Sequence, residues 1–296
     1  TVNITQPPQL IATIQNTVNP SCNGGSNGSA SVSVTGGTTP YASYIWSPSG
    51  FSGPNATGLS AGPQTVTITD ASGCTNTVGI ALSNPPVVTA TIVNPLLPSC
   101  NGSTDGSLSA TPGGGSGTGY TYSWSPMGGT SSTATNLGTG TYTVTIRDSR
   151  GCSATSSATL NQPAPVSSTV AVTDVSCNGT SGGILTATPS GGIGPYTFNW
   201  LPSGGNSATA VNLYAGTYTV TITDAHGCTT TRTATVSQPL PITVTTSSTP
   251  STCGQSNGTA TITGVSGGFS PYTFQWSPTG GTGINATGLP AGRSEE

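Results

Sequence analysis

The sequence predicts an all-β protein, a tandem array of antiparallel β-sandwich repeats of about 77 residues each. Three observations carry this. Tryptophans recur at Trp46, Trp124, Trp200 and Trp276, and the cysteines ahead of them, Cys22, Cys100, Cys177 and Cys253, keep the same step. Apolar and polar residues alternate with period two in short runs such as Tyr142, Val144 and Ile146 against Thr141, Thr143 and Thr145, the mark of a half-buried strand. Gly, Pro and Asn separate these runs at short intervals, as in sandwiches and barrels.

Proline-bearing joints, "TQPP" at 5–8, "SNPP" at 83–86, "NQPAP" at 161–165 and "SQPLP" at 237–241, set the boundaries, because proline removes a donor and fixes φ. The expected units are residues 1–8 as the end of a preceding repeat, 9–86, 87–164 and 165–240 as full repeats, and 241–296 as a truncated fourth. Both ends read as cuts through a longer array.

Within a unit the elements follow in order. "GSASVSVTGG" offers Ala30, Val32 and Val34 to a core, and turn signals Asn27-Gly28 and Asp105-Gly106 stand just before this strand. "YTYSWSP" alternates Tyr120, Tyr122 and Trp124, matched by Tyr196, Phe198, Trp200 and by Tyr272, Phe274, Trp276. "YASYIW" in the first unit is one residue longer, which predicts a bulge. "NLGTGTYTVTIRDSRGC" at 136–152 returns as "NLYAGTYTVTITDAHGC" at 212–228 and "GLSAGPQTVTITDASGC" at 58–74. Its Leu-x-x-Gly-x-Tyr element (Leu137, Gly140, Tyr142; Leu213, Gly216, Tyr218) resembles the tyrosine corner of immunoglobulin-like domains. The first unit has Gln64 in place of the tyrosine. The four tryptophans, Tyr142 and Tyr218 are the expected structural core.

Composition bounds the function. Charged residues are 4% of 296, with no lysine and a net charge of −3, against about 25% charged in ordinary domains. Such a surface has no basic patch for nucleic acid or anionic lipid, and no apolar run approaches the roughly 18 residues of a membrane span. The 43 glycines and 24 prolines approach a disordered composition, but fixed aromatic offsets argue for folded units.

Seven cysteines allow two pairing schemes. Pairing within units joins Cys22 to Cys74, Cys100 to Cys152 and Cys177 to Cys228, with Cys253 unpaired by truncation. Pairing across joints joins Cys74 to Cys100, Cys152 to Cys177 and Cys228 to Cys253. The first is favoured if the chain crosses the sandwich four times between Cys22 and Cys74, since an even number returns both to one pole. No CxxC and no histidine partner suggest a metal.

The succession "SCNG", a "DGS" or "NGS" turn, "GG...PYTF.W" and "L.AGTYTVTITDA.GC" resembles the SprB repeat family, found in very large surface adhesins of gliding and related Bacteroidetes. The resemblance covers nearly the whole chain. It implies secretion, display at the cell surface and a role in adhesion or gliding, with no catalytic residues and no ligand.

The few titratable groups offer almost no pairs for acid–base chemistry. His226 occupies a turn position held by Ser72 and Arg150 in sister units. Asp70, Asp148 and Asp224 recur in Asp-x-x-Gly-Cys, where a carboxylate accepts turn amides; calcium would want more oxygens. The chain is therefore expected to be no enzyme, to need no cofactor or metal, and to act as a structural, disulfide-pinned segment of an extracellular adhesin or fibre. Its expected partners are neighbouring repeats or like chains. Two alternatives are an array of glycan-binding sandwiches, using aromatics such as Tyr214 or Phe51, and accessory repeats of a secreted enzyme.

Overall fold

A computed structural model describes residues 2–292. It divides into two compact units between Gln162 and Pro163, each holding two of the four hydrophobic cores. The described residues contain strands and no helix, so none is long and apolar enough to cross a membrane.

The first repeat has six strands: β1 (Ile11–Val18), β2 (Gly28–Thr35), β3 (Ser43–Ser47), β4 (Asn55–Leu59), β5 (Gly62–Thr69) and β6 (Thr75–Leu82). They form two antiparallel three-stranded sheets, ordered β1-β2-β4 and β3-β5-β6. The second repeat copies this with β7 (Thr89–Leu96), β8 (Gly106–Gly113), β9 (Thr121–Ser125), β10 (Thr133–Leu137), β11 (Gly140–Arg147) and β12 (Ser153–Leu160). The third does so with β13 (Ser167–Thr173), β14 (Gly183–Ser190), β15 (Thr197–Leu201), β16 (Thr209–Leu213), β17 (Gly216–Thr223) and β18 (Thr229–Val236). In the fourth, only β19 (Thr243–Thr249), β20 (Gly258–Ser266) and β21 (Asn285–Leu289) are formed. Its "YTFQW" stretch is no strand, because the sequence supplies no "TYTVTITD" segment to pair with it.

Alternation sorts each strand as its pattern dictates. In β11, Tyr142, Val144 and Ile146 are buried, while the outward threonines pair with hydroxyls on β12: Thr141 with Thr159 and Thr143 with Ser157, both at 2.8 Å. Burying one face at about 25 cal/mol per Å² of apolar surface leaves the other free to be a hydroxyl ladder. Trp46, Trp124, Trp200 and Trp276 are all buried. Each indole N–H donates to a carbonyl seven residues on, those of Gly53, Ser131, Ser207 and Gly283.

That tryptophan bond reveals an element the sequence did not announce. At Gly28, a Cβ would lie 3.1 Å from both the Val18 carbonyl and the Leu82 side chain, so β1 and β6 end at the same pole. Antiparallel pairing then makes β1, β3, β4 and β6 run upward, and β2 and β5 downward. Between β3 and β4 the chain must come back down, and residues 51–53 do this beside β3. The Trp46 amide donates to the Phe51 carbonyl at 2.8 Å, the Gly53 amide to the Tyr44 carbonyl at 3.1 Å, and Ile45 bridges Ser52. Phe51 thereby packs against the core rather than standing exposed.

Two local expectations are revised. β3 pairs with β5 in unbroken register, so the extra residue of "YASYIW" makes no bulge in the strand; it sits ahead of it at Ala42, whose amide donates to the Thr69 carbonyl. β1–β2, β7–β8 and β19–β20 are shifted in register, and another set of slips lies where β4, β10, β16 and β21 meet the second strand of their repeats, at Gly58, Asn136, Asn212 and Gly288, all with positive φ. Only residues tolerant of that region stand there. Tyr142 and Tyr218 close their corners on the carbonyls of Gly138 and Tyr214, at 3.2 and 3.1 Å. Gln64 makes the equivalent bond through Nε2 to the Ser60 carbonyl at 3.1 Å, leaving its buried Oε1 without a partner.

Candidate functional site at the joint between repeats

The five passages from Cys22 to Cys74 (β2, β3, the return segment, β4 and β5) put these cysteines at opposite poles. An odd number of crossings overturns the pairing within units. Cys22 is bridged instead to Cys152 of the second repeat, with S–S 2.05 Å and Cα–Cα 5.5 Å, inside the usual range. Cys74, Cys177 and Cys253 are free and exposed, so neither Cys22–Cys74 nor Cys177–Cys228 forms. Cys152 is likewise taken from Cys100 by Cys22; Cys100 and Cys228 are both disulfide-bonded. Pairing across a single joint between Cys74 and Cys100 is equally absent, since Cys74 is free.

The odd crossing count also sends the two ends of each complete repeat to opposite poles, so the upper pole of the first repeat faces the lower pole of the second across residues 83–88. The joint is held from both sides. From the first repeat, Asn19 Oδ1 accepts the Ser83 amide at 2.9 Å, Asn84 Oδ1 accepts the Gly24 amide at 3.1 Å, and Asn23 Nδ2 donates to the Pro85 carbonyl at 3.0 Å. From the second, the Gly115 amide donates to the Pro86 carbonyl at 3.0 Å. Proline has no amide N–H to donate, but its carbonyl still accepts, and the carbonyls of Pro85 and Pro86 are thus tied to successive repeats.

Gly114 is required here: its φ is +68°, and a Cβ would lie 1.9 Å from the Val87 carbonyl oxygen. The loop it belongs to is fastened by Asp148, which is almost wholly buried. One carboxylate oxygen takes the Ser116 amide at 2.9 Å; the other takes the amides of Arg150 and Cys152 at 3.0 and 2.9 Å. A continuous run of bonds therefore leads from the Cys22 loop through the joint and Asp148 to Cys152, where the disulfide closes the circuit. Asp70 and Asp224 repeat the arrangement, each reaching a loop more than thirty residues earlier as well as its own turn.

In the second compact unit, the joint between the third and fourth repeats is built alike. Gln238 Oε1 accepts the Gly179 amide at 3.0 Å, Asn178 Nδ2 donates to the Pro239 carbonyl at 2.9 Å, and the Gly268 amide donates to the Leu240 carbonyl at 2.9 Å. Sequence reasoning missed these joint-holding side chains. Their signal was present as the amide residue before each joint proline (Asn84, Gln162, Gln238) and the asparagine of each complete "SCNG" (Asn23, Asn101, Asn178).

The aspartates are held below the usual carboxylate range. For Asp70 and Asp224 the amides from the distant loop, Thr38 and Ile193, act most strongly. For Asp148 burial opposes the shift, and the amides of Ser116, Cys152 and Arg150 together outweigh it. A carboxylate whose folded pKa is depressed contributes stability above its unfolded pKa, about 3.9, and loses it as pH falls through the folded value. Melting temperature is therefore expected to hold steady from pH 7 down to about 5 and to drop below about 4. Asp148→Asn, which keeps one acceptor and loses the charge, should flatten that drop for the second repeat. Calorimetry from pH 7 to 2 checks both.

Elsewhere the described residues hold no group of three His, Cys, Asp or Glu side chains able to share a metal ion. His226 is exposed, with its backbone amide on Asp224 Oδ1. Tyr214 is exposed on the surface, and the four tryptophans, being buried, offer no platform to a ligand.

Among solved structures, the chain is similar to Sidekick-1 immunoglobulin domains 1–5, at 12% identity over 79% of this chain and 60% of that one, with a TM-score of 0.32. It is also similar to the N-terminal eight immunoglobulin domains of Down Syndrome Cell Adhesion Molecule isoform 1.30.30, at 11% identity over 91% of this chain and 53% of that one, with a TM-score of 0.31. The chain thus spans under two thirds of either. No curated protein matches. The three complete repeats are immunoglobulin-like by their own features: two antiparallel sheets and a buried tryptophan on the third strand, with a tyrosine corner in the second and third. The SprB repeat pattern matches residues 14–51, 89–129, 169–205 and 245–283, one match in each repeat and together more than half of the sequence, and the chain therefore belongs to the SprB repeat family.

Proposed function

We propose that this chain is a stalk or tether segment of a secreted cell-surface adhesin or extracellular fibre, serving adhesion or gliding, with neighbouring repeats or like chains as its partners. The observation that carries the reading is the joint. Adjacent repeats whose ends lie at opposite poles, clamped through successive backbone carbonyls and closed by the Cys22–Cys152 bond, form a unit suited to transmitting pull. A disulfide-bearing array of this kind belongs in an oxidising compartment. The sparsely charged hydroxyl surface adds no attraction for phosphate or lipid. Both the repeat family and the sandwich fold are of a typically non-catalytic kind.

An antibody raised against the segment and applied to intact cells carrying the parent protein tests the reading. Labelling of unpermeabilised cells is the expected result. Labelling only after permeabilisation would overturn it.

A further inference from the structure

The lower pole of the first repeat reproduces the main anchoring bonds of the pole that receives Cys22 in the second. The Gly37 amide donates to the Pro8 carbonyl at 2.8 Å, as Gly115 does to Pro86 at 3.0 Å. A Cβ on Gly36 would lie 1.9 Å from the Gln9 carbonyl oxygen, as one on Gly114 would from that of Val87. Asp70 Oδ2 accepts the Thr38 amide, and Asp70 Oδ1 the Cys74 amide, both at 2.9 Å; Asp148 holds Ser116 and Cys152 at the same distances. The anchoring bonds match, and the thiols differ: Cys152 is bonded, while Cys74 is free and exposed.

A second observation points to what is wanted there. Ile4 corresponds in sequence to Leu160, the fully buried last residue of β12, yet Ile4 is 93% exposed. Residues 4–8 thus match in sequence the strand end and joint of a repeat, and the Pro8 carbonyl is already held by the Gly37 amide as Pro86 is by Gly115. The partner that fits is the upper pole of another SprB repeat, with its cysteine-bearing loop.

We infer that the cysteines of this chain follow a staggered rule, in which the loop cysteine of one repeat bonds the Asp-x-x-Gly-Cys cysteine of the next repeat in line, so that Cys74 is a covalent docking site for the loop cysteine of another SprB repeat. Among the described cysteines the free ones are one turn cysteine, Cys74, and two loop cysteines, Cys177 and Cys253, the set the rule leaves open in four successive repeats when the fourth has no turn cysteine. Bond formation proceeds by exchange with a small-molecule disulfide. One thiolate attacks it and releases a thiol; the second cysteine then attacks the mixed disulfide and releases another, so two protein thiols are oxidised as one disulfide is reduced to two thiols. The inference rests on the stalk reading only for its oxidising surroundings.

The test is an extended variant in which a second copy of residues 87–156 precedes residue 1, so that residues 1–8 complete the added repeat. It is oxidised with oxidised glutathione and mapped without reduction. The expected link joins the added repeat's loop cysteine to Cys74, and the titre of free thiols equals that of the parent chain despite two added cysteines. A link formed between two chains would support the rule with the loop supplied in trans. A titre two higher, or Cys74 linked to any cysteine other than such a loop cysteine, would overturn it. Serine in place of the added loop cysteine should return Cys74 to the free state with unchanged circular dichroism. Cys74 still bonded in that variant also refutes the rule. None of these outcomes depends on where the parent protein resides in the cell.

Discussion

A molecule pulled from residues 2 and 292 is expected to lengthen far less with its disulfides intact than after reduction. Cys22 and Cys152 are separated by 130 residues along the chain and by 5.5 Å between their Cα atoms. Tension arriving at Cys22 passes through the sulfurs to Cys152, so the direct run of chain between them is bypassed. Extended chain spans about 3.3–3.6 Å per residue, so roughly 430–470 Å of contour is hidden while the bond holds. Full reduction should release at least this length, in steps as the first two repeats unfold. Optical-tweezers extension of the same molecules before and after reduction measures it directly, and equal contour lengths in the two states would refute the bridge as a load-bearing element. The same loop carries about 5 kcal/mol of chain-entropy stabilisation, so reduction should also lower the melting temperature of the first compact unit. A staple inside one repeat would shorten that repeat alone; one that spans two shortens both, leaving β1 and β12 of these repeats outside the closed loop.

How much of this was legible in the sequence divides along a physical line. Period-two alternation specifies a strand and its buried face, and the positions of Tyr142, Val144, Ile146 and the tryptophans follow from it. Repetition specified the units, because each landmark returns with the others. Pairing between sheets, by contrast, depends on how many times the chain crosses, and one crossing was carried by residues 51–53 and their sister segments. Three residues anchored by a tryptophan ring and two backbone bonds have no alternation to read. Miscounting that return changed the crossing number from odd to even, and with it the predicted pole of Cys74. Opposite poles were the condition for repeats to join end to end, so the same missed segment explains both the bridge and the joint. Gln64 illustrates a smaller blind spot: a side chain unlike tyrosine reaches the same carbonyl because only a donor at that distance is needed.

Trp124→Ala is expected to unfold the second repeat at moderate temperature. Trp124 is nearly buried, faces Val144 across the β9–β11 ladder, and receives Gly128, where a Cβ would lie 2.7 Å from Ala134 and 3.0 Å from the tryptophan. Truncation leaves a cavity in a core of nine buried residues and strands the Ser131 carbonyl that the indole now satisfies at 3.0 Å. Large-to-small changes of this kind cost about 3–5 kcal/mol, a large share of what a domain this small commands. At about 4–8 °C per kcal/mol for a domain of 60–100 residues, the transition of the second repeat should fall by more than about 12 °C. Trp276 provides the internal control. Its repeat has only one formed sheet among the described residues, and its core cluster contains four buried residues, so Trp276→Ala removes far less packing and should shift its own transition by a smaller amount. Because Cys152 lies on the turn that Asp148 organises within the same repeat, the Trp124 variant should also oxidise with a lower yield of the Cys22–Cys152 link, read by non-reducing peptide mapping. A Trp124→Ala protein that melts within a few degrees of the parent and forms that link in full would show that the tryptophan is not what holds the return segment, and with it the polarity of the repeat, in place.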